Sequence, residues 1–340
     1  MDTSAGSVKQ YSIVQHRYGA PGEVLGEVAS LRLPPGPREV QVEVKATSVN
    51  PIDWQMIEGN RRLISRRTFP YTPFFDLAGV VSSVGSGITD FTVGDRVYAD
   101  NEIGGGGAAR YVNVNRALLA HSPERLDLAE AAAVPLAAQT ALTCLDVGEV
   151  AAGTRLAVIG ASGGVGHFVV QMAHAAGAFV VGVASARNRD FVMGLGADEV
   201  VDRNATDLVT AYGDRSFDVV IDTAGGRSQW LQARRILRPG GKFVTISRDE
   251  DGVVTPMSAI RMASTISARR IRGAGRRGIK YSPVFLKASA ELLQRVTTLI
   301  DDGKVTPHVA QVFPLTLEGV NRAIELSRTG RAVGKLVLAR

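Results

Sequence analysis

The sequence predicts an α/β chain in which a doubly wound parallel sheet is inserted into a second, mostly antiparallel β domain. Three observations predict it. Residues 155–184 run from an apolar strand through a glycine turn and a helix-spaced segment into a second apolar strand. The same alternation of strand and helix continues to about residue 247, which argues for a parallel sheet with covering helices. Short β segments punctuated by glycine fill residues 11–114, and a similar pattern returns beyond about residue 280. The expected division is residues 1–130 and 279–340 in one discontinuous domain, with 131–278 forming the inserted one. At 340 residues the chain is long enough for two such cores.

Taken in order, residues 1–10 lack any pattern, residues 11–17 read as a strand, and residues 23–33 end at the turn Pro34-Pro35-Gly36-Pro37. Residues 39–48 alternate Val40, Val42, Val44 and Ala46 with Glu39, Gln41, Glu43 and Lys45, the signature of a half-buried antiparallel strand. Asn50 is placed to cap a short helix opening at Pro51. Residues 74–81 and 91–98 are further strands, residues 104–107 a glycine loop, and residues 109–114 another strand. Residues 128–146 are alanine-rich and helical. Beyond the first βαβ unit come helices at 191–195 and 230–237, strands at 199–202, 217–222 and 242–247, a helix at 289–302, and strands at 309–313 and 335–339. The segment near residues 271–274 reads as the last strand of the parallel sheet, whose open edge suggests a homodimer.

The stretch Gly160-Ala161-Ser162-Gly163-Gly164-Val165-Gly166 carries the chemistry. Glycines at 160, 163 and 166 let a backbone approach a diphosphate, and the following helix N-terminus offers free N–H groups with a partial positive charge. The spacing differs from the common G-x-G-x-x-G, so the flanking strands and helix supply much of the signal; a glycine turn without a cofactor is the alternative. The second strand ends in Ser185-Ala186-Arg187-Asn188-Arg189, with no acid before Asp190. An NAD-binding unit places Asp or Glu there for the ribose hydroxyls. A hydroxyl and guanidinium groups instead suit a 2′-phosphate, with Arg203 reaching it from the next strand, so the reading is NADPH. Solvated surface arginines are the competing reading. Ligands in such sheets bind beyond the strands' carboxyl ends, which adds Thr223 and Ser247.

Composition narrows the alternatives. The chain is 45% hydrophobic and 21% charged with net charge +6, and its arginine clusters (61, 62, 66, 67 and 269, 270, 272, 276, 277) are not interleaved with aromatics, so no nucleic-acid partner is expected. No apolar run reaches membrane-spanning length and no leader is evident, so no membrane partner is expected. The single cysteine, Cys144, excludes an intrachain disulfide and fits a cytoplasmic protein with a small buried thiol. Five histidines without a Cys-x-x-Cys pair, and none beside Asp76, leave no expected metal site; His167 and His174, seven apart on one helix, take a structural role.

Several motifs in order extend the argument across the chain: Val49-Asn50-Pro51-Ile52-Asp53, Asp76-Leu77-Ala78-Gly79-Val80, Val93-Gly94-Asp95-Arg96-Val97, the 160–166 turn, Leu195-Gly196-Ala197-Asp198, Leu237-Arg238-Pro239-Gly240-Gly241, and Gly334-Lys335-Leu336-Val337-Leu338. Together they resemble the zinc-independent, quinone-oxidoreductase branch of the medium-chain dehydrogenase/reductase superfamily. Two departures stand out: Phe75 where relatives usually have Gly before Asp76, and Arg110 where they often have Glu.

The resemblance implies a GroES-like β-barrel catalytic domain, an inserted Rossmann domain, and NADPH in the cleft between them. It implies hydride transfer to a hydrophobic quinone or an α,β-unsaturated carbonyl. Carried over by position, Asn50 and Thr140 face the nicotinamide. Gly160, Ser162, Gly163, Gly164 and Val165 hold the diphosphate, and Ser185, Arg187 and Arg203 the adenosine phosphate, with Thr223, Ile246 and Ser247 completing the cofactor contacts. Asn50, Tyr71 or Tyr281 would donate to the substrate oxygen as charge develops. An enoyl-thioester or other tailoring reductase, and a protein that binds NADPH without turnover, are the alternatives.

Overall fold

The computed structural model describes residues 9–63, 65–246 and 254–340. The chain divides into two compact units, residues 1–136 with 288–301 and 307–340, and residues 137–287 with 302–306.

The first unit opens with strands β1 (Lys9–Gln15) and β2 (Leu25–Leu31), paired antiparallel around a short helix α1 (Pro21–Val24). There follow β3 (Glu39–Val49), α2 (Pro51–Ile57), β4 (Asp76–Val84), β5 (Arg96–Asp100), β6 (Tyr111–Asn115), β7 (Leu119–His121) and α3 (Leu128–Ala132). Strand β3 forms as the alternation predicts, with Val40, Val42 and Val44 completely buried among Leu77, Val81, Val97 and Leu119. Proline at the first helical position starts α2, and α3 is closed at its N-terminus by a reciprocal Asp127–Glu130 capping box. The alanine-rich stretch breaks before Pro135, so the expected single helical region is α3 followed by α4 (Pro135–Gly148).

The second unit carries β8 (Arg155–Ile159), α5 (Gly166–Ala175), β9 (Phe179–Ala184), α6 (Arg189–Gly194), β10 (Glu199–Asp202), α7 (Leu208–Tyr212), β11 (Phe217–Asp222), α8 (Arg227–Ile236), β12 (Leu237–Thr245), α9 (Pro256–Arg277) and β13 (Lys280–Pro283). Its six strands are all parallel in the order β10-β9-β8-β11-β12-β13. The order reverses beside β8, where an open α/β sheet binds its ligand. Trp230, Ile236, Phe243 and Tyr281 fill the core beneath α8. Gly182 lets α6 lie close on the sheet, since a Cβ there would stand 2.5 Å from Val192.

The sheet differs from expectation at its edge. Residues 271–274 belong to α9, and the edge strand is β13, which pairs with β12 through Lys242↔Lys280 to Thr245↔Pro283. Strand β13 therefore lies in the parallel sheet, beyond the residue 278 boundary expected for the inserted domain. Gly278, left-handed at φ 65°, ends α9 and returns the chain to the sheet.

The first unit is completed by α10 (Ala290–Asp301), β14 (Val309–Pro314), α11 (Leu317–Arg328) and β15 (Lys335–Ala339). Strand β15 pairs antiparallel with β3, which brings Lys335 at its start to the end of β3 near Val49.

Candidate active site

In the second unit, β8 delivers the chain into the glycine turn. Gly160 takes φ 81°, a backbone conformation that excludes most side chains. A Cβ on Gly166 would lie 2.1 Å from the Gly160 carbonyl oxygen, so only glycine lets the start of α5 approach the strand end. The turn is braced beneath: Thr223 Oγ1 donates to the Ile159 carbonyl at 2.8 Å, and His167 Nδ1 lies 2.9 Å from the Gly163 carbonyl. Ser162 to Val165 are only partly buried, at the N-terminus of a ten-residue helix. Amide groups and helix dipole there favour a diphosphate.

Parallel register sets the adjoining cation pair. Asp202 of β10 stands opposite Ala184 of β9, so Arg203 emerges beside Ser185, and the Arg203 amide donates to the Ala184 carbonyl at 2.9 Å. Arg187 and Arg203 are exposed and have no ion-pair partner among the described residues. Arg189, expected as a companion, is committed elsewhere: its Nη1 donates to the Val200 carbonyl at 2.9 Å. The nearby acid is tied to its own loop, Asp202 Oδ1 accepting from the Ala186 and Asn204 amides. A hydroxyl with two exposed guanidinium groups fits a 2′-phosphate, and the glycine turn fits the diphosphate, so the residues present suit NADPH. Thr223 serves the turn through its bond to Ile159, Ile246 is half-buried with its amide on the Asp222 carbonyl, and Ser247 lies outside the described residues. Thr140 is buried in α4.

In the first unit, Asn50 sits at the centre of a buried polar cluster. Its Nδ2 donates to Asp76 Oδ2 at 2.7 Å, and its Oδ1 accepts from Lys335 Nζ. Asp76 Oδ2 also accepts from Ser48 Oγ at 2.5 Å and lies 3.4 Å from Lys335 Nζ, while its Oδ1 accepts the Leu136 amide at 2.8 Å. Asn50, Asp76 and Lys335 are 2, 0 and 3% exposed, so water screens this ion pair little. The cluster fixes which end of the Asn50 carboxamide points where. Asn50 also begins α2, its amide donating to Asp53 Oδ2 at 2.7 Å. Burial pushes the Asp53 carboxyl up to about 7, opposed by the Asn50 amide and aided by the Asp76 charge. Burial and Asp76, its cross-strand partner, likewise hold Asp100 well above the usual carboxylate range.

Tyr71 lies near this cluster. Its hydroxyl is buried without a hydrogen-bond partner among the described residues, against Gly105, where a Cβ would approach it to 2.2 Å. The Arg67 guanidinium stacks 4.4 Å from the Tyr71 ring centroid and 5.6 Å from that of Phe75. Burial raises the phenol's pKa, with Arg67 opposing and Asp53 and Asp100 adding to the rise. Phe75, which stands where relatives usually have Gly, is buried without positive φ, while its neighbour Phe74 is fully buried at φ 69°, in the left-handed region.

Asn50 and Tyr71 belong to the first unit, whereas Tyr281 belongs to the second. It is a core side chain of the second unit, packed against Trp230 and Phe243 at centroid distances of 5.1 and 5.7 Å, with its hydroxyl accepting from Arg269 Nη1 at 3.0 Å. Those surroundings give it a packing role in the core of that unit. Cys144 is fully buried in α4, and burial pushes its thiol up to about 12. Among the described residues no three His, Cys, Asp or Glu side chains are grouped to hold a metal ion. Lys335 and Asp76 are the participants that motif reading left without a role.

Comparison with known proteins assigns the lineage. Residues 36–124 match the alcohol dehydrogenase GroES-like domain family, and residues 195–338 match the zinc-binding dehydrogenase family. The chain is 34% identical over 313 residues to a chloroplast envelope quinone oxidoreductase homolog of Arabidopsis thaliana, covering 89% of this chain and 90% of that protein. It is 32% identical to the NADPH-dependent alkenal/one oxidoreductase of the same plant, covering 88 and 72%. The solved structure of Escherichia coli quinone oxidoreductase complexed with NADPH superposes with a TM-score of 0.79 at 26% identity, over 97% of this chain and all of that one. The chain thus belongs to the medium-chain dehydrogenase/reductase superfamily, in its zinc-independent, quinone-oxidoreductase-like branch.

Proposed function

We propose that the protein is an NADPH-dependent oxidoreductase that reduces quinones or α,β-unsaturated carbonyl compounds. One observation carries the cofactor half: the diphosphate turn is followed, at the ends of β9 and β10, by Ser185, Arg187 and Arg203 rather than by an acid facing a ribose. The relatives named above, a quinone oxidoreductase homolog and an alkenal/one oxidoreductase, support the substrate half.

Bound NADPH supplies a hydride, and the protein supplies position and field. The amides of the 160–166 turn and the α5 N-terminus hold the diphosphate. Ser185, Arg187 and Arg203 hold the 2′-phosphate, and Thr140 is assigned to the nicotinamide. Asn50 is assigned to the nicotinamide too, with its carboxamide held in one orientation by Asp76 and Lys335. When hydride reaches the β-carbon of an enone, negative charge develops on the carbonyl oxygen. The unpartnered Tyr71 hydroxyl is the proposed donor to that oxygen, and solvent provides the proton for the α-carbon.

The protein is further proposed to be a cytoplasmic homodimer. One cysteine in the whole sequence suits a reducing compartment, and no helix among the described residues is long and apolar enough to cross a membrane. Strand β13 pairs only with β12 among the described strands, which leaves an edge for a second copy. Stopped-time NADPH oxidation against panels of quinones, enones and enoyl thioesters tests the activity. Turnover of quinones or simple enones is expected. Turnover of thioesters alone, or cofactor binding with no oxidation by any panel, would overturn the proposal.

A further inference from the structure

Asn188 directly follows Arg187 and lies just ahead of α6. Its backbone amide donates to the Ser185 carbonyl at 2.9 Å, which holds the loop in a single tight turn. Its half-buried side chain reaches back across the strand ends, and Nδ2 donates to Ser162 Oγ at 3.0 Å. The contact joins residues 26 apart in sequence. One lies in the turn after β8 and the other in the loop after β9, so it links the two places where NADPH's anionic groups are proposed to bind.

The direction of that bond has a chemical consequence. A serine hydroxyl has one O–H to donate and two lone pairs with which to accept. With the Asn188 amide donating into one lone pair, the Ser162 proton must point to another acceptor. Among the described residues it has none. Ser162 stands in a turn whose free amides and helix dipole already favour an anion. A hydroxyl held with its proton outward adds a directed donor at that place.

We propose that Asn188 is a positioning residue for the cofactor: it fixes the Ser162 hydroxyl so that its proton is presented to the diphosphate, and it ties the diphosphate turn to the loop that grips the 2′-phosphate. This rests on the NADPH reading above. Asn188 itself touches neither phosphate in this scheme. Its effect passes through Ser162, so the two residues act as one unit toward a group that NADPH and NADH share.

A double-mutant cycle read by calorimetric titration of the full-length protein tests it. Asn188→Ala and Ser162→Ala should each weaken NADPH binding by roughly tenfold or more, the range of a hydrogen bond to a charged group. The double variant should be no weaker than the poorer single one. NADH should lose affinity by the same factors. Asn188→Asp, equal in size, would accept the Ser162 proton and place a negative charge beside the diphosphate, so it should bind more weakly than Asn188→Ala. Additive losses, a loss confined to NADPH, or Asn188→Asp binding as well as the unmodified protein would each overturn the inference. Melting of the cofactor-free variants separates a folding defect, which would lower the midpoint and leave the Asp and Ala variants alike. If the unmodified protein binds NADPH and Asn188→Ala matches it, only this inference falls; if the unmodified protein binds no NADPH, the cofactor reading falls first.

Discussion

Around Gly160–Gly166 the groups proposed to meet an anion are backbone amides and exposed guanidiniums supplied by consecutive loops. Around Asn50 the charged groups are buried side chains, Asp76 of β4 and Lys335 of β15, joined by the neutral Ser48 of β3. The first region is built by backbone geometry. Its cations are screened by water, cost little to hold, and act chiefly when a phosphate arrives. In the second, every charge must be matched inside the protein, so its arrangement is bound up with stability as well as with reactivity.

Removing the ammonium should therefore have the largest effect. Lys335→Met leaves the Asp76 carboxylate at 0% exposure without its cation, and urea denaturation at pH 7 should show a loss of about 3–5 kcal/mol. Adding Asp76→Asn should recover part of that loss. A Lys335→Met protein as stable as the original would erase the contrast between the regions.

A pH test sharpens the same contrast. The folded Asp53 carboxyl titrates near 7 and the unfolded one near 4, so the folded state binds more protons across that window. The stability this group contributes is present below about pH 4 and is lost as pH rises through 7. Between pH 5 and pH 8 the unmodified protein should lose roughly 2–3 kcal/mol relative to Asp53→Asn, measured by paired denaturation curves. Parallel curves would show that Asp53 is ionised throughout.

The nucleotide region should respond to shape rather than to charge burial. Gly166→Ala would set a methyl group against the Gly160 carbonyl, and α5 must move to accommodate it. Overpacking of this kind costs about 1–3 kcal/mol, and NADPH affinity should fall with it. Retained affinity would show that the turn tolerates displacement of the helix.

What was legible in the sequence follows the same division. The glycine turn could be read because its residues are contiguous and because positive φ and close approach demand glycine. Ser185, Arg187 and Arg203 could be gathered because adjacent parallel strands end at the same level. The Asn50 cluster was only half legible, since Lys335 and Asp76 are 259 residues apart and each reads as an ordinary strand terminus. The available signal was a lone charge opening each of two apolar strands, Lys335 before Leu336-Val337-Leu338 and Asp76 before Leu77-Ala78. The core position of Tyr281 was not legible, because nothing in the sequence around Lys280 marks the short edge strand β13 that buries it. Helix α9 was hidden by Gly273, Gly275 and its serines, which lower local helix propensity until packing on β12 and β13 decides the matter.

The account depends most on recognition of the 2′-phosphate, and titration calorimetry with both reduced cofactors, on the unmodified protein and Arg187→Ala, tests it directly. The unmodified protein should prefer NADPH. Arg187→Ala should weaken NADPH by about tenfold or more, as for a lost hydrogen bond to a charged group, and leave NADH unchanged. Equal affinity for NADPH and NADH in both proteins would contradict it.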